Sequence, residues 1–190
     1  MKYFIGYLIQ GEAAAWHVNL AKNISDKFNT WKLHEKIPPH ITIFQPFDTD
    51  DINPIKNLLR SWVQNKSISG KLAISGFDHF DDKVVFVKVE TDQSVKEAVE
   101  ELRRDIEIIP GMPKEDFPIW HPHATLADHL SSQEINQIWN YVLKLEKPNF
   151  IFPFDNITIF RFDGDRKWSV EESFKSRHKN TIELKAKVNL

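Results

Sequence analysis

Cysteine is absent from all 190 residues, methionine occurs twice and glycine six times. The missing thiol excludes disulfides, thiolate catalysis and cysteine-based zinc sites, and it fits a reducing cytoplasm. No run of residues approaches the ~20 apolar positions of a membrane span. The N-terminal run Tyr3 to Ile9 faintly imitates a signal core, but it is short and Glu12 interrupts the residues after it, so it is read as a first strand. A charge excess is also lacking: 25 basic against 27 acidic residues give a formal net charge of −2. Proteins that grip long nucleic acid are usually strongly basic, so an extended duplex is a poor partner, whereas a short or end-bound nucleotide is not excluded. Other signatures fail. Gly70-Lys71 lacks the spacing of a phosphate-binding loop, Asp163-x-Asp165 has Phe174 where a calcium loop needs Glu, and no G-x-S-x-G element exists.

What the chain has is a doubled tripeptide. Pro39-His40-Ile41-Thr42-Ile43 and Pro122-His123-Ala124-Thr125-Leu126 each place His-x-Thr after a proline, with the histidines 83 positions apart. Side chains alternate faces along a strand, so the His and Thr of each unit project side by side.

The surroundings of the two units match. After the first strand, a helix from about Ala13 to Phe28 carries Trp16, Leu20, Ile24 and Phe28 at intervals of four. Pro38 and Pro39 end a loop and lead into a strand from His40 to Phe44. Pro54, with Asn53 as its expected cap, opens a helix that buries Ile55, Leu58, Leu59, Trp62 and Val63. Leu72–Phe77 and Lys83–Val89 read as strands joined by a turn at Asp81-Asp82. A second round begins there. A helix with Val95, Ala98, Val99, Leu102 and Ile106 on one face precedes a proline-rich loop and the His123 strand. Ser131 and Glu134 then have the spacing of a capping box, opening a helix that buries Ile135, Ile138, Trp139, Val142 and Leu143. Closing strands are expected over Phe150–Phe162 and Trp168–Phe174, with a turn at Asp163-Gly164-Asp165. The stretch from Lys175 to Leu190 reads as an edge strand or a frayed tail. The expected class is α+β, a single domain of two similar lobes, about residues 1–80 and 81–174.

Imidazole titrates near pH 6.5, so one His can serve as base while another serves as acid. Displacement at a phosphodiester needs both, one to take a proton from the nucleophile and one to protonate the leaving oxygen. Threonine hydroxyls can donate to the non-bridging oxygens that gather charge in the transition state. Two His and two Thr therefore suffice for phosphoryl transfer without a metal or other cofactor.

With these paired H-x-T motifs, their spacing and the doubled order of elements, the chain resembles the two-histidine phosphoesterase superfamily, which includes the bacterial 2′-5′ RNA ligase (LigT-like) proteins and cyclic nucleotide phosphodiesterases. The resemblance runs from Tyr3 to about Phe174. It implies two antiparallel sheets facing a central cleft, with helices outside. It also implies hydrolysis of 2′,3′-cyclic phosphates, or reversible 2′-5′ joining of RNA ends, with His40 and His123 as the acid–base pair. Thr42 and Thr125 become the phosphate-oxygen donors, and which His is the base stays open. A non-catalytic module that holds RNA ends, and a phosphodiesterase acting on ADP-ribose cyclic phosphate, remain alternatives.

Further candidates are weaker. His121 shares the strand face of His123 and is a candidate substrate contact. Tyr3, Trp120 and Trp168 offer ring faces to a nucleobase, with core packing as the competing role. Arg161, in a closing strand, is a candidate phosphate contact, whereas Arg166-Lys167 and Lys175, Arg177 and Lys179 read as a solvated basic face. His121, His123 and His129 together suggest zinc, but no acidic partner is arranged by spacing, so no metal is expected. His17, His34, His79 and His178 have no motif context and are read as surface residues. A monomer acting on a small nucleotide or RNA terminus, away from membranes, is the expected setting.

Overall fold

Two four-stranded antiparallel sheets and five helices make up the computed structural model, which describes residues 1–66, 70–80 and 83–176. In chain order the elements are β1 (Lys2–Leu8), α1 (Gly11–Phe28), α2 (Leu33–Lys36), β2 (His40–Asp48), α3 (Asn53–Asn65), β3 (Lys71–Phe80) and β4 (Val84–Thr91). They continue with α4 (Gln93–Glu107), β5 (His123–Ala127), α5 (Ser132–Val142), β6 (Phe150–Pro153), β7 (Asn156–Gly164) and β8 (Lys167–Lys175). The mixed α+β class matches the sequence expectation. The first sheet has the order β2-β1-β7-β8 and the second β5-β4-β3-β6. Each His-x-Thr strand is thus a sheet edge, paired with the strand that opens its own half. The two edges, β2 and β5, lie against one another where the sheets meet.

The halves exchange elements. Strand β3, from the first half of the sequence, sits in the second sheet, and β7 and β8 complete the first. Helix α1 follows β1 yet packs on β5, and α4 follows β4 yet packs on β2. One continuous core runs through both sheets and includes Ile5, Ile24, Ile41, Leu59, Leu72, Val99, Leu102, Ile138 and Ile159. Burying each such side chain contributes roughly 1.5–3 kcal/mol. Strand β1 is buried on both faces: Tyr3 packs on Phe47, while Phe4 stacks on Phe160.

The expected capping box forms: Ser131 Oγ accepts from the Glu134 amide, and the Ser131 amide donates to Glu134 Oε2. Asn53 is not the cap of α3. Ile52 holds that position, and the Asp51 carboxylate accepts the Asn53 N–H at 2.9 Å. Leu143 is not buried with α5, because the helix ends at Val142 and leaves it 59% exposed. Phe150–Phe162 is two strands rather than one. Pro153 has no N–H to extend a ladder, and the chain crosses there from the second sheet to the first, with the Phe154 amide donating to the Gly70 carbonyl. The Asp81-Asp82 turn and the tail beyond Ser176, which includes Arg177, His178 and Lys179, lie outside the described residues.

Candidate active site

His40 and His123 each open their strand, and in both strands burial alternates as the period of two requires. Ile41, Ile43, Ala124 and Leu126 are buried, while His40, Thr42, His123 and Thr125 are half-buried on the other face. The prolines have a structural role. A residue before proline is held extended, and here that residue's carbonyl turns toward the imidazole. His40 Nδ1 lies 2.9 Å from the Pro38 carbonyl oxygen, and His123 Nδ1 lies 2.8 Å from that of His121. A carbonyl only accepts, so each Nδ1 carries the proton and each Nε2 is left with its lone pair. The same tautomer is set twice by the same device.

The rings are enclosed alike. Phe4 and Phe160 flank His40, with centroids 4.8 and 5.2 Å away, and Phe80 and Phe86 flank His123 at 4.9 and 5.0 Å. Desolvation by these apolar neighbours disfavours the imidazolium. It pushes His40 down to about 4, with further lowering from His17 and His123. His123 is lowered as well, again by burial first. His40 thus feels the charge of His123, whose strand lies against its own.

An open cleft of about 330 Å³ adjoins this centre, lined by His40 and Thr125 and walled by Trp31, Phe162, Arg166 and Trp168. Trp168 lines this cleft, with its ring 4.9 Å from Phe4 and 5.1 Å from Phe162. Trp31 and Arg166 were missed. Arg166 sits 5.8 Å over the Trp31 ring. Asp165 and Arg166 both have positive φ at the β7–β8 turn, and Lys36 bonds Asp165 at 2.6 Å, so the turn is tied to α2 beside the cleft. No motif marked these residues, because only the hairpin brings them to the site.

Three candidates stand outside the lining of the cleft. Tyr3 is 5% exposed on the face of β1 opposite Phe4 and His40, with its ring on Phe47, so it has no path to the cleft. Arg161 alternates with Phe160 and Phe162, which face the cleft side, and its guanidinium is held by Asp163 and Glu171 at 3.0 Å each. Trp120 is buried, and its indole N–H donates to the Thr42 carbonyl at 2.8 Å, supporting the motif strand from behind. His121 stays near His123, with centroids 6.1 Å apart, at an exposed edge beside Phe80. His129 pairs with Asp128 and Trp31 instead of joining His121 and His123, and among the described residues no three metal-binding side chains form a cluster. His79 is exposed as expected. His17 and His34 are not surface residues: His17 is 5% exposed, the His34 side chain 8%, and both line a small pocket with His40 and Thr125.

The pattern of the 2′-5′ RNA ligase superfamily matches residues 11–166, and the chain belongs to that superfamily. A Bacillus pumilus protein, a phosphoesterase by name, is 28% identical over 163 residues, covering 81% of this chain and 91% of its own length. A Staphylococcus aureus protein, likewise a phosphoesterase by name, is 31% identical over 151 residues, covering 76% and 84%. Among solved structures, a Thermus thermophilus protein superposes with a TM-score of 0.65 at 21% identity, over 94% of this chain and all of its own. Escherichia coli LigT complexed with 3′-AMP gives 0.63 at 13% identity, over 93% and 98%. These two structures share the fold.

Proposed function

We propose that this protein is a metal-independent phosphoesterase that opens 2′,3′-cyclic phosphates at RNA ends or on nucleotides, acting as a monomer in the cytoplasm. The observation that carries the reading is the pair of imidazoles, each with Nδ1 tied to the carbonyl two residues upstream and Nε2 left for proton transfer. Both rest neutral because burial depresses their proton affinity. An arriving phosphate anion raises that affinity, so one imidazole takes up a proton while its twin remains the base. The neutral Nε2 removes a proton from water as the water oxygen bonds to phosphorus. The bond from phosphorus to O3′ breaks, and the imidazolium delivers its proton to O3′, leaving a 2′-phosphate. Thr42 and Thr125 donate to the non-bridging oxygens. With a ribose 5′-hydroxyl in place of water, the same steps join RNA ends through a 2′-5′ link, and their reverse, attack by the 3′-hydroxyl on that link, cleaves it back to the cyclic phosphate.

Trp31 and Trp168 give the cleft two aromatic walls for a base, consistent with LigT being complexed with 3′-AMP. Arg166 has no carboxylate within ion-pair distance among the described residues, which favours ADP-ribose cyclic phosphate, with its additional phosphates, as a second substrate to test. The test is to incubate the protein, in EDTA, with a 2′,3′-cyclic mononucleotide, a short RNA bearing a cyclic end, and ADP-ribose cyclic phosphate. A 2′-phosphate product is expected. Binding of RNA ends with no turnover from about pH 5 to about 9 would leave the binding-module alternative in its place.

A further inference from the structure

The two motif strands are supported from behind by the same arrangement, with different residues. Helix α4 packs on β2 and α1 packs on β5, so each His-x-Thr strand rests on a helix from the other half. Behind Thr42, the Trp120 indole donates to the Thr42 carbonyl, and Glu100 on α4 accepts the Trp120 backbone N–H. Arg103 Nη1 donates to Glu100 Oε2 at 3.0 Å and fixes that carboxylate. Behind Thr125 the polar residue is His17 of α1. Glu100 lies as far beyond His17 in the chain as His123 lies beyond His40. His17 and Glu100 therefore hold the same position of the repeat.

The His17 imidazole lies against the backbone carbonyls of Ala124 and Thr125, close enough for them to favour its protonated form, yet Nε2 makes no aligned hydrogen bond. With His34, His40 and Thr125 it lines a pocket of about 10 Å³ whose other walls include Val18, Ala21, Leu33 and Ile37. That volume is about the room one water needs, and three imidazoles and a threonine are among its lining residues. The pocket shares His40 and Thr125 with the open cleft, so it lies directly behind the reacting groups. A buried ring nitrogen without an aligned partner is costly to keep, and its residue lines the same small pocket as His40 and Thr125.

We infer that His17 is a positioning residue of the phosphate site: it seats Thr125 through the β5 backbone and holds a water against His40, doing for the second motif what Glu100 and Trp120 do for the first. The inference rests on the proposed phosphoesterase reading and deepens it. His17 does not touch the phosphate. It acts through Thr125 and His40, and its neutral form, favoured by burial, is the one that serves.

The test compares His17→Phe, which keeps a ring without polar atoms, with His17→Gln, which keeps polar atoms without a titrating ring. Two quantities are read: kcat/KM on a 2′,3′-cyclic mononucleotide, and the affinity for inorganic phosphate followed by the NMR signals of the His40 and His123 rings. The Phe variant is expected to lose about tenfold or more in both, as small misplacements at a reacting centre do, and the Gln variant to stay within about threefold of the parent. A Phe variant within about twofold of the parent in both, or a Gln variant as impaired as the Phe variant, overturns the assignment. Should the Phe variant fail to fold, His17→Ala is read with and without added imidazole. Recovery with imidazole supports the role, and its absence overturns it. If the parent turns over no cyclic phosphate, the phosphoesterase reading fails, while the phosphate titration still decides the part played by His17.

Discussion

The pH dependence of folding gives a direct measure of how His17 is held. In the unfolded chain its imidazole titrates near 6.5, and in the folded protein burial pushes it down to about 4. The unfolded state therefore binds the proton first, and stability falls as pH drops through the interval between those values. The His17 contribution to this loss is nearly zero at pH 7. It amounts to about 2 kcal/mol by pH 5 and about 3 kcal/mol by pH 4, taking 1.36 kcal/mol per pH unit of difference. The perturbation is His17→Gln, which cannot titrate. Urea unfolding of parent and variant at pH 7 and pH 5 isolates the histidines, since most carboxylates protonate at lower pH. The parent should lose about 2 kcal/mol more than the variant across that interval. His123, lowered mainly by its own burial, contributes alike to both proteins, and His40, lowered mainly by burial and only further by His17, nearly so. Equal losses in parent and variant would show that His17 is protonated or solvated in the folded state, and the buried, neutral assignment would be wrong.

Other outcomes rest on the same structure. His40→Ala and His123→Ala should each cost on the order of 100-fold or more in kcat with folding retained. A variant with near-parental turnover would remove its imidazole from the acid–base pair. Because His40 is pushed down to about 4 and His123 is lowered, the acid limb of kcat/KM should fall below the ordinary imidazole range. An acid limb centred near pH 6.5 would contradict the aromatic desolvation of both rings. Trp120→Phe leaves the Thr42 carbonyl without its indole donor and should cost about 1–3 kcal/mol in unfolding free energy, with a drop in kcat/KM beyond that of an equally destabilised variant elsewhere. Ser131→Ala breaks the capping box and should cost about 1 kcal/mol in denaturant melts without changing kcat.

The pseudo-twofold site also explains why its parts are matched in pairs. Each imidazole has one phenylalanine on the strand paired to its own, Phe4 on β1 or Phe86 on β4, and one from another strand, Phe160 on β7 or Phe80 on β3. Gly6 belongs to the same packing. A Cβ there would stand 3.0 Å from the Ile41 carbonyl oxygen and 3.2 Å from the Phe160 ring, so a side chain would press on the ring that flanks His40.

Most of the secondary structure was legible because it is local. Periodicity of 3.6 or 2 marks the helices and the motif strands, and Ser131 with Glu134 declares a helix start through bonds that span three residues. The residues bearing the proposed chemistry were legible for the same reason, since His40 with Thr42 and His123 with Thr125 need only strand alternation to share a face. Tyr3 and Arg161 were misjudged because choosing between the two faces of a strand requires knowing what packs on each side, and the packing role weighed for Trp120 took its form, an indole bond to the Thr42 carbonyl, only from the tertiary structure. His17 looked like an ordinary helix-surface position. It is buried because α1 crosses to the sheet of the opposite half, a contact with no local sequence signal. The sequence by itself determined which groups can transfer protons and that they come in a matched pair, because those properties follow from residue type and spacing of two. Only the tertiary structure decided that the exchange of elements between halves brings the pair to adjoining sheet edges, and that Trp31, Arg166 and His17 join them, because such contacts depend on where distant parts of the chain come to rest.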